Sequence, residues 1–196
     1  MNKPLSSFLF KYRSYTPILF VIVMLIYENA NIWSLIAGFI IVIAGELLRL
    51  WGVSWAGSET RTTGHMEGTF LIISGPFAHV RNPLYIGNIL IYLGLGIMSF
   101  AIFPYLQIIA LLFFVFQYYH IIKAEEEYLL NRYGGQFTEY KKNVPRLFPR
   151  LTSYRAVEIK QPPFKLKAGI RSERRTFQAI GFIAVTIVLL WFIGRF

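Results

Sequence analysis

The chain has 196 residues, of which 55% are hydrophobic and 15% are charged, a balance typical of a polytopic membrane protein. Its 20 Lys and Arg residues outnumber its 10 Asp and Glu residues, and this excess favours a surface that faces anionic membrane lipids over one that binds nucleic acid. The absence of cysteine excludes disulfides, thiolate metal sites and a cysteine nucleophile.

Five apolar segments approach the length that crosses a bilayer, which predicts a single all-α membrane helix bundle over residues 1–196. Pro104 and the short link 28–30 are predicted to separate antiparallel helices. The last span is assigned only to packing, and 151–175 is interpreted as a basic linker that leads into it. The predicted spans are 12–27, 31–50, 84–103, 105–122 and the C-terminal helix 177–194.

The second span carries two ionisable residues, Glu46 and Arg49, near its end. Because they are three residues apart, they share one helix face and can pair. Ionisable groups at such depth often line a cavity, but near a span end they can also form an interfacial pair that only satisfies itself. Both interpretations stay open.

Lys and Arg residues fall almost entirely on one side of this five-span arrangement, with Arg195 on the other. Positive charge accumulates in cytoplasmic loops, so we predict a cytoplasmic N-terminus, cytoplasmic segments 51–83 and 123–175, and an external C-terminus. The start shows no signal-peptide cleavage pattern, so the first span is expected to be retained. Residues 57–68 are expected to form a flexible loop that is a candidate lid.

The stretch "GPFAHVRNPLYIGN", residues 75–88, gathers constrained and polar residues at the start of an apolar span. Gly75 and Pro76 predict a turn, and Pro83 suits the first position of a helix. Free backbone N–H groups at that helix start and the Arg81 guanidinium predict a site for a carboxylate or phosphate. Gly87 is expected to leave room for a ligand. The alternative is an interfacial turn in which Arg81 meets lipid phosphate.

The second polar stretch, "KAEEEYLLNRYGGQFTEYKKNVPRLFP", covers residues 123–149. Helical spacing continues through the three glutamates until Gly134 and Gly135, and a short amphipathic helix is predicted at about 137–142. Glu127 is interpreted as part of a solvated helix face that pairs with Arg132 or Lys123.

Taken together, the two stretches resemble the isoprenylcysteine carboxyl methyltransferase and phospholipid methyltransferase families of integral membrane enzymes. The resemblance covers roughly residues 45–150. Asn82 stands where a His is common in the eukaryotic enzymes, and Asn cannot titrate near neutrality. The residues that carry the resemblance are Gly75, Arg81, Pro83, Tyr85 and Gly87 in the first stretch and Glu125, Glu126, Leu129, Gly134 and Tyr140 in the second.

The resemblance implies a methyltransferase that uses S-adenosylmethionine, with its cofactor and catalytic core at about 75–149 and open to the cytoplasm. The implied acceptor is a lipid or small hydrophobic molecule that enters from the bilayer, and neither its identity nor the oligomeric state follows from the sequence. Arg146 and Glu126 are implied as catalytic residues, where Arg146 orients an anionic acceptor and Glu126 accepts a proton or positions Arg146. No metal is required for methyl transfer. The residues expected to hold the cofactor are Gly75, His79, Val80, Arg81, Asn82, Pro83, Tyr85, Gly87, Tyr119, His120, Glu125, Glu126 and Tyr128.

Two other functions stay open at this point. One is an NADPH-dependent membrane reductase of the steroid 5α-reductase kind, because that class has similar polar and acidic landmarks. The other is a non-enzymatic transport or scaffold protein, which is a common role for a small helical bundle that contains charges.

Overall fold

A computed structural model describes residues 3–57, 71–156 and 159–194, and within these residues every regular element is helical. This confirms the predicted all-α class. Most of the candidate lid at 57–68 lies outside the described residues, as do Arg61 and Arg195. The helices are α1 (Lys3–Tyr12), α2 (Thr16–Ile26), α3 (Ile32–Ala56), α4 (Pro83–Ser99), α5 (Tyr105–Tyr133), α6 (Gly135–Asn143) and α7 (Leu166–Ile193), with a 3₁₀ turn at Gly75–Ala78.

Three of the described helices, α3, α5 and α7, are long and apolar enough to cross a membrane. The protein is therefore an integral membrane protein. The α4 helix is apolar and has 17 residues, so it is shorter than these three.

The first predicted span, 12–27, is wrong as a single helix. The chain bends by 52° between α1 and α2, and the two helices qualify as a span only when they are taken together. An 11-residue helix such as α2 rises only about 16 Å, roughly half of the hydrocarbon thickness. Pro17 lies in the first turn of α2, where its ring suits a helix start but not a helix interior.

The second half of the chain both confirms and corrects the predicted boundaries. The α4 helix begins at Pro83, α5 continues through the three glutamates to Tyr133, and α6 follows, all as predicted. The basic linker is wrong over its last ten residues, because α7 already begins at Leu166. Its first turn packs against the end of α3, where a Cβ atom on Gly169 would lie 3.2 Å from Ser54 Cα.

Glycines let α3 and α4 pack backbone against backbone. A Cβ atom on Gly45 would lie 2.8 Å from the Gly87 carbonyl oxygen, and one on Gly94 would lie 2.8 Å from the Gly38 carbonyl oxygen. Small residues at such crossings are a common means of bringing membrane helices together. A Cβ atom on Gly87 would also lie 2.5 Å from Arg49 Cγ, so the expected ligand space at Gly87 is wrong: α3 fills it.

A small apolar cluster holds the segment that follows α5 against the chain that precedes the 3₁₀ turn. Phe137, Tyr140 and Val144 are buried there together with Leu71 and Ile73. This packing places the C-terminal end of α6 beside the start of α4, so the two polar stretches meet.

Candidate functional site

The first polar stretch is held in its turn by contacts on both sides. Gly75 has φ of 61°, a left-handed conformation that favours glycine, and the Trp55 ring occupies the position of a side chain there. Tyr140 donates its hydroxyl to the Phe77 carbonyl oxygen at 2.7 Å. Because burial raises the pKa of Tyr140, that hydroxyl stays protonated and remains a donor.

The centre of the site is a carboxylate between two guanidinium groups. Glu126 Oε1 accepts hydrogen bonds from Arg81 Nε at 3.1 Å and Nη2 at 2.9 Å. Arg146 donates Nε to the same oxygen at 3.1 Å and Nη2 to Glu126 Oε2 at 2.5 Å. We name these three residues the Glu126 cluster. It joins the predicted motifs, which lie 45 residues apart between Arg81 and Glu126.

Arg81 is largely committed to the protein itself. Its Nη1 donates to the Lys141 carbonyl oxygen at 2.9 Å and to the Val144 carbonyl oxygen, and its backbone N–H donates to Pro145 at 2.9 Å. Asn82 adds a further bond, from Nδ2 to the Arg146 carbonyl oxygen at 3.1 Å. These bonds fasten the start of α4 to the segment after α6, so Arg81 has few donors left for a ligand.

Arg146 differs from Arg81 in its access to solvent. Its side chain is 29% exposed, whereas that of Arg81 is 9% exposed. The hydrogen bonds to Glu126 raise the pKa of Arg146, so this group remains a cation. Its guanidinium carbon lies 5.7 Å from the centre of the Tyr119 ring. Arg146 is thus a solvent-accessible cation that lies beside an aromatic ring.

A second acid lies next to the cluster on α5. Glu125 Oε1 accepts the Tyr85 hydroxyl at 2.6 Å, and the Tyr85 ring lies 4.6 Å from that of Tyr118. Tyr85 and Glu125 were both expected in the site, and the structure brings them together beside Glu126.

The remaining predicted residues have more varied positions. His79 Nδ1 lies 2.9 Å from the Arg150 carbonyl oxygen and supports the turn, and Val80 and Pro83 are buried. His120 contacts the Phe116 and Tyr119 rings.

Tyr128 is not brought to the Glu126 cluster. Its hydroxyl accepts a hydrogen bond from Arg132 Nη1 at 2.8 Å on the exposed side of α5. Arg132 was one of the two partners expected for Glu127, the other being Lys123.

A second polar group, deep in the bundle, was only partly predicted. Arg49 Nε lies 3.8 Å from Glu46 Oε2, which confirms that this pair forms. A closer partner, Glu173 Oε2 at 2.7 Å from Arg49 Nη2, comes from α7 and was missed. Arg49 also donates to Asn88, whose Nδ2 donates to the Tyr118 hydroxyl at 3.2 Å. We name Glu46, Arg49 and Glu173 the Arg49 cluster; through it α7 does more than pack.

The family model for phospholipid methyltransferases matches residues 33–136. The nickel-cobalt-cadmium resistance protein NccN of Alcaligenes xylosoxydans xylosoxydans is 26% identical over 196 residues, which cover 95% of this chain and 85% of the relative. The cobalt-zinc-cadmium resistance protein CzcN of Cupriavidus metallidurans is 33% identical over 107 residues, covering 55% of this chain and 45% of the relative.

A third relative is protein-S-isoprenylcysteine O-methyltransferase of Rattus norvegicus, which is 31% identical over 121 residues. That match covers 60% of this chain and 42% of the rat protein, so this chain spans less than half of the length of this relative. No solved structure matches the chain.

Proposed function

Because this chain belongs to the phospholipid methyltransferase family, we propose that it transfers a methyl group from S-adenosylmethionine to a lipid or small hydrophobic acceptor at the cytoplasmic membrane boundary. The observation that carries the proposal is the contact of Arg81 and Arg146 with one carboxylate, Glu126. This contact assembles the two polar stretches into one site where a water-soluble donor and a membrane-embedded acceptor can meet.

The side chains at the site suit the proposed cofactor, which supplies an electrophilic methyl group on a sulfonium. Arg146 is an accessible cation that suits the cofactor carboxylate or an anionic acceptor. Glu125 suits an ammonium group or ribose hydroxyls, and the Tyr85 and Tyr119 rings suit adenine or a sulfonium. Little covalent chemistry is asked of the protein, because alignment and local electrostatics supply much of the rate enhancement.

The contacts divide the roles of the two glutamates. Glu126 already accepts three donors on Oε1 and one on Oε2, so it is a positioning residue that aims Arg146 and is a poor proton acceptor. Glu125 accepts only one protein donor in the described contacts, the Tyr85 hydroxyl, and it is the better candidate to receive a proton from an amine acceptor. Arg81 holds Glu126 and the segment 141–145 in place.

Labelled methyl transfer tests this proposal directly. Membranes that contain the wild-type chain are incubated with isotopically labelled S-adenosylmethionine, and the lipid extract is examined by mass spectrometry. We expect a labelled product whose yield falls by about 100-fold or more with Glu126→Gln. If no product forms, and NADPH but not S-adenosylhomocysteine raises the melting temperature, the membrane reductase becomes the better interpretation.

The names of two relatives refer to metal resistance. A link between this chain and metal tolerance would pass through the product of methyl transfer under this proposal. Glu126→Gln and Arg146→Gln should therefore abolish any metal tolerance that the wild-type gene confers. Tolerance retained by both variants would favour a non-enzymatic role.

The absence of native cysteine gives a clean test of the proposed orientation, in which the N-terminus and the site face the cytoplasm. A cysteine at the exposed Lys142 should react with a membrane-impermeant maleimide only in inside-out vesicles. A cysteine at Asn29, in the link at the other end of α3, should react only in right-side-out vesicles. The reverse pattern would contradict the orientation.

A further inference from the structure

The bend between α1 and α2 carries a charged residue, Arg13, and contacts α5 through Thr16. Arg13 follows the end of α1, and its guanidinium carbon lies 3.7 Å from the centre of the Phe10 ring. The Thr16 hydroxyl lies 3.2 Å from the Arg13 carbonyl oxygen and 3.1 Å from Gln117 Oε1 on α5. The Thr16 hydroxyl thus lies between the Arg13 backbone carbonyl and the Gln117 side chain, and it fastens the bend to α5. Arg13 lies outside the residues that the family model matches.

Two buried donors at this bend have no acceptor among the described residues. They are Arg13 Nη1 and Gln117 Nε2, and the Gln117 residue is 0% exposed. A buried donor without a partner is costly, and folded proteins leave few of them. Each therefore points to an acceptor that is not part of the described chain.

The Arg13 charge also acts on the candidate site. Arg13 interacts electrostatically with Glu125 and Tyr85, yet it makes no ion pair with Glu125 in the described contacts. Tyr85 instead donates to Glu125. The Arg13 charge is thus close enough to the Tyr85 and Glu125 pair to act on it, next to the proposed site of methyl transfer.

We propose that Arg13 and Gln117 form a subsite for the oxyanion of a lipid acceptor, a carboxylate or a phosphate, and this rests on the proposed function. The planar guanidinium fork and the side-chain N–H of Gln117 are donors that match an oxyanion. The outer faces of α1 and α2 are apolar, with Phe8 58% and Leu19 66% exposed, so they suit the tail of such a lipid. The subsite thus binds the lipid through an anionic group of its headgroup, which oleyl alcohol lacks.

Lipid binding by the full-length protein in maltoside micelles tests the subsite. The probes are oleate, dioleoyl phosphatidic acid and oleyl alcohol, and binding is followed by quenching of intrinsic fluorescence. We expect oleate, phosphatidic acid or both to bind more tightly than oleyl alcohol, and the tighter of the two identifies the oxyanion. Arg13→Gln should lower the affinity for the acidic probes by about 10-fold or more, which is the scale of a hydrogen bond to a charged group. The affinity for oleyl alcohol should not change.

Lys11→Gln is the matched control, because it removes an exposed basic residue two positions away and should leave all three affinities unchanged. If Arg13→Gln does not fold, Arg13→Lys replaces it, because this variant keeps the positive charge but loses the planar guanidinium. It should lower the affinity for the acidic probes by a smaller factor. Equal affinities of wild type for oleate, phosphatidic acid and oleyl alcohol would overturn the subsite, as would equal losses in the Arg13 and Lys11 variants.

S-adenosylhomocysteine binding in the same samples separates this inference from the proposed function. Arg13→Gln should bind it as tightly as wild type does. If wild type does not bind S-adenosylhomocysteine while oleate binding still depends on Arg13, the proposed function fails and the subsite stands.

Discussion

The Glu126 cluster and the Arg49 cluster are both built from arginine and glutamate, but they differ in their access to solvent. In the Arg49 cluster, the Glu173 side chain is 0% exposed and that of Arg49 is 13% exposed. In the Glu126 cluster, Arg81 and Glu126 are similarly buried, at 9% and 8%, but the Arg146 side chain is 29% exposed. A ligand can approach Arg146, whereas it cannot reach Glu173 without parting α3 from α7.

This difference in solvent access indicates that the two clusters have different roles. Removing one partner of a buried ion pair leaves an uncompensated charge, so the Arg49 cluster should mainly determine whether the bundle is stable. The Glu126 cluster lies where the two polar stretches meet, and it should mainly determine whether ligands bind and react. Variants of the two clusters should therefore affect different measurements.

The largest expected effect is on stability, in the Arg49 cluster. Glu173→Gln keeps the shape of the side chain but leaves Arg49 without its closest acid, so it should lower the free energy of unfolding by about 3–5 kcal/mol. Denaturant titration in detergent micelles measures this loss. Glu139→Gln, at an exposed glutamate on α6, is the control and should cost less than about 1 kcal/mol. Equal losses of unfolding free energy in both variants would show that the burial of the Arg49 and Glu173 pair does not determine stability.

The next effect concerns the Glu126 cluster and is expected in turnover. Glu126→Gln removes the carboxylate that aims Arg146, so methyl transfer should fall by about 100-fold or more, or about 2.7 kcal/mol of barrier. Its loss of stability should be smaller than that of Glu173→Gln. The comparison breaks down if Glu126→Gln turns over normally or unfolds more readily than Glu173→Gln.

A third prediction tests the glycine contact that supports Arg49. Gly87→Ala adds a Cβ atom 2.8 Å from the Gly45 carbonyl oxygen and 2.5 Å from Arg49 Cγ, so it should cost about 1–3 kcal/mol of stability. Thermal unfolding of the purified protein reports the change. Gly181→Ala on α7 is the control, because the space around it is open. A neutral Gly87→Ala would mean that α3 and α4 can separate without loss.

The smallest effect is expected at the edge of the Glu126 cluster. Tyr85→Phe removes the hydroxyl that donates to Glu125, so kcat should fall by up to about 10-fold, and the melting temperature should fall less than in Glu173→Gln. Steady-state kinetics with the labelled methyl donor measure the change. A larger fall than that of Glu126→Gln would move the centre of the reaction from Arg146 to Glu125.

Local sequence signals predicted much of the fold around the site. The resemblance to the two methyltransferase families placed Arg81 and Glu126 in one site, where the structure has them in contact. Pro83 marked the start of α4, and Gly134 marked the end of α5. These features depend on backbone preferences and on short-range patterns, which a single sequence carries. Pro17, in the first turn of α2, is a similar local signal for a helix start.

The missed features depend on contacts between distant helices. The basic segment before the last span has no strong helical pattern of its own, and its helical start is supported by Lys165 N–H donating to the Ser54 carbonyl oxygen at 2.9 Å. That docking buries Glu173 beside Arg49, a pairing across 124 residues that no local pattern predicts. The commitment of Arg81 to backbone carbonyl groups was missed for the same reason.

Calorimetric titration of the purified wild-type protein and of Arg146→Gln with S-adenosylhomocysteine tests the central claim most directly. The account predicts saturable binding to wild type at one site per chain and clearly weaker or no binding to Arg146→Gln, with both proteins melting at similar temperatures. A folded wild-type protein that shows no binding, or an Arg146→Gln variant that binds and turns over as wild type does, would contradict it.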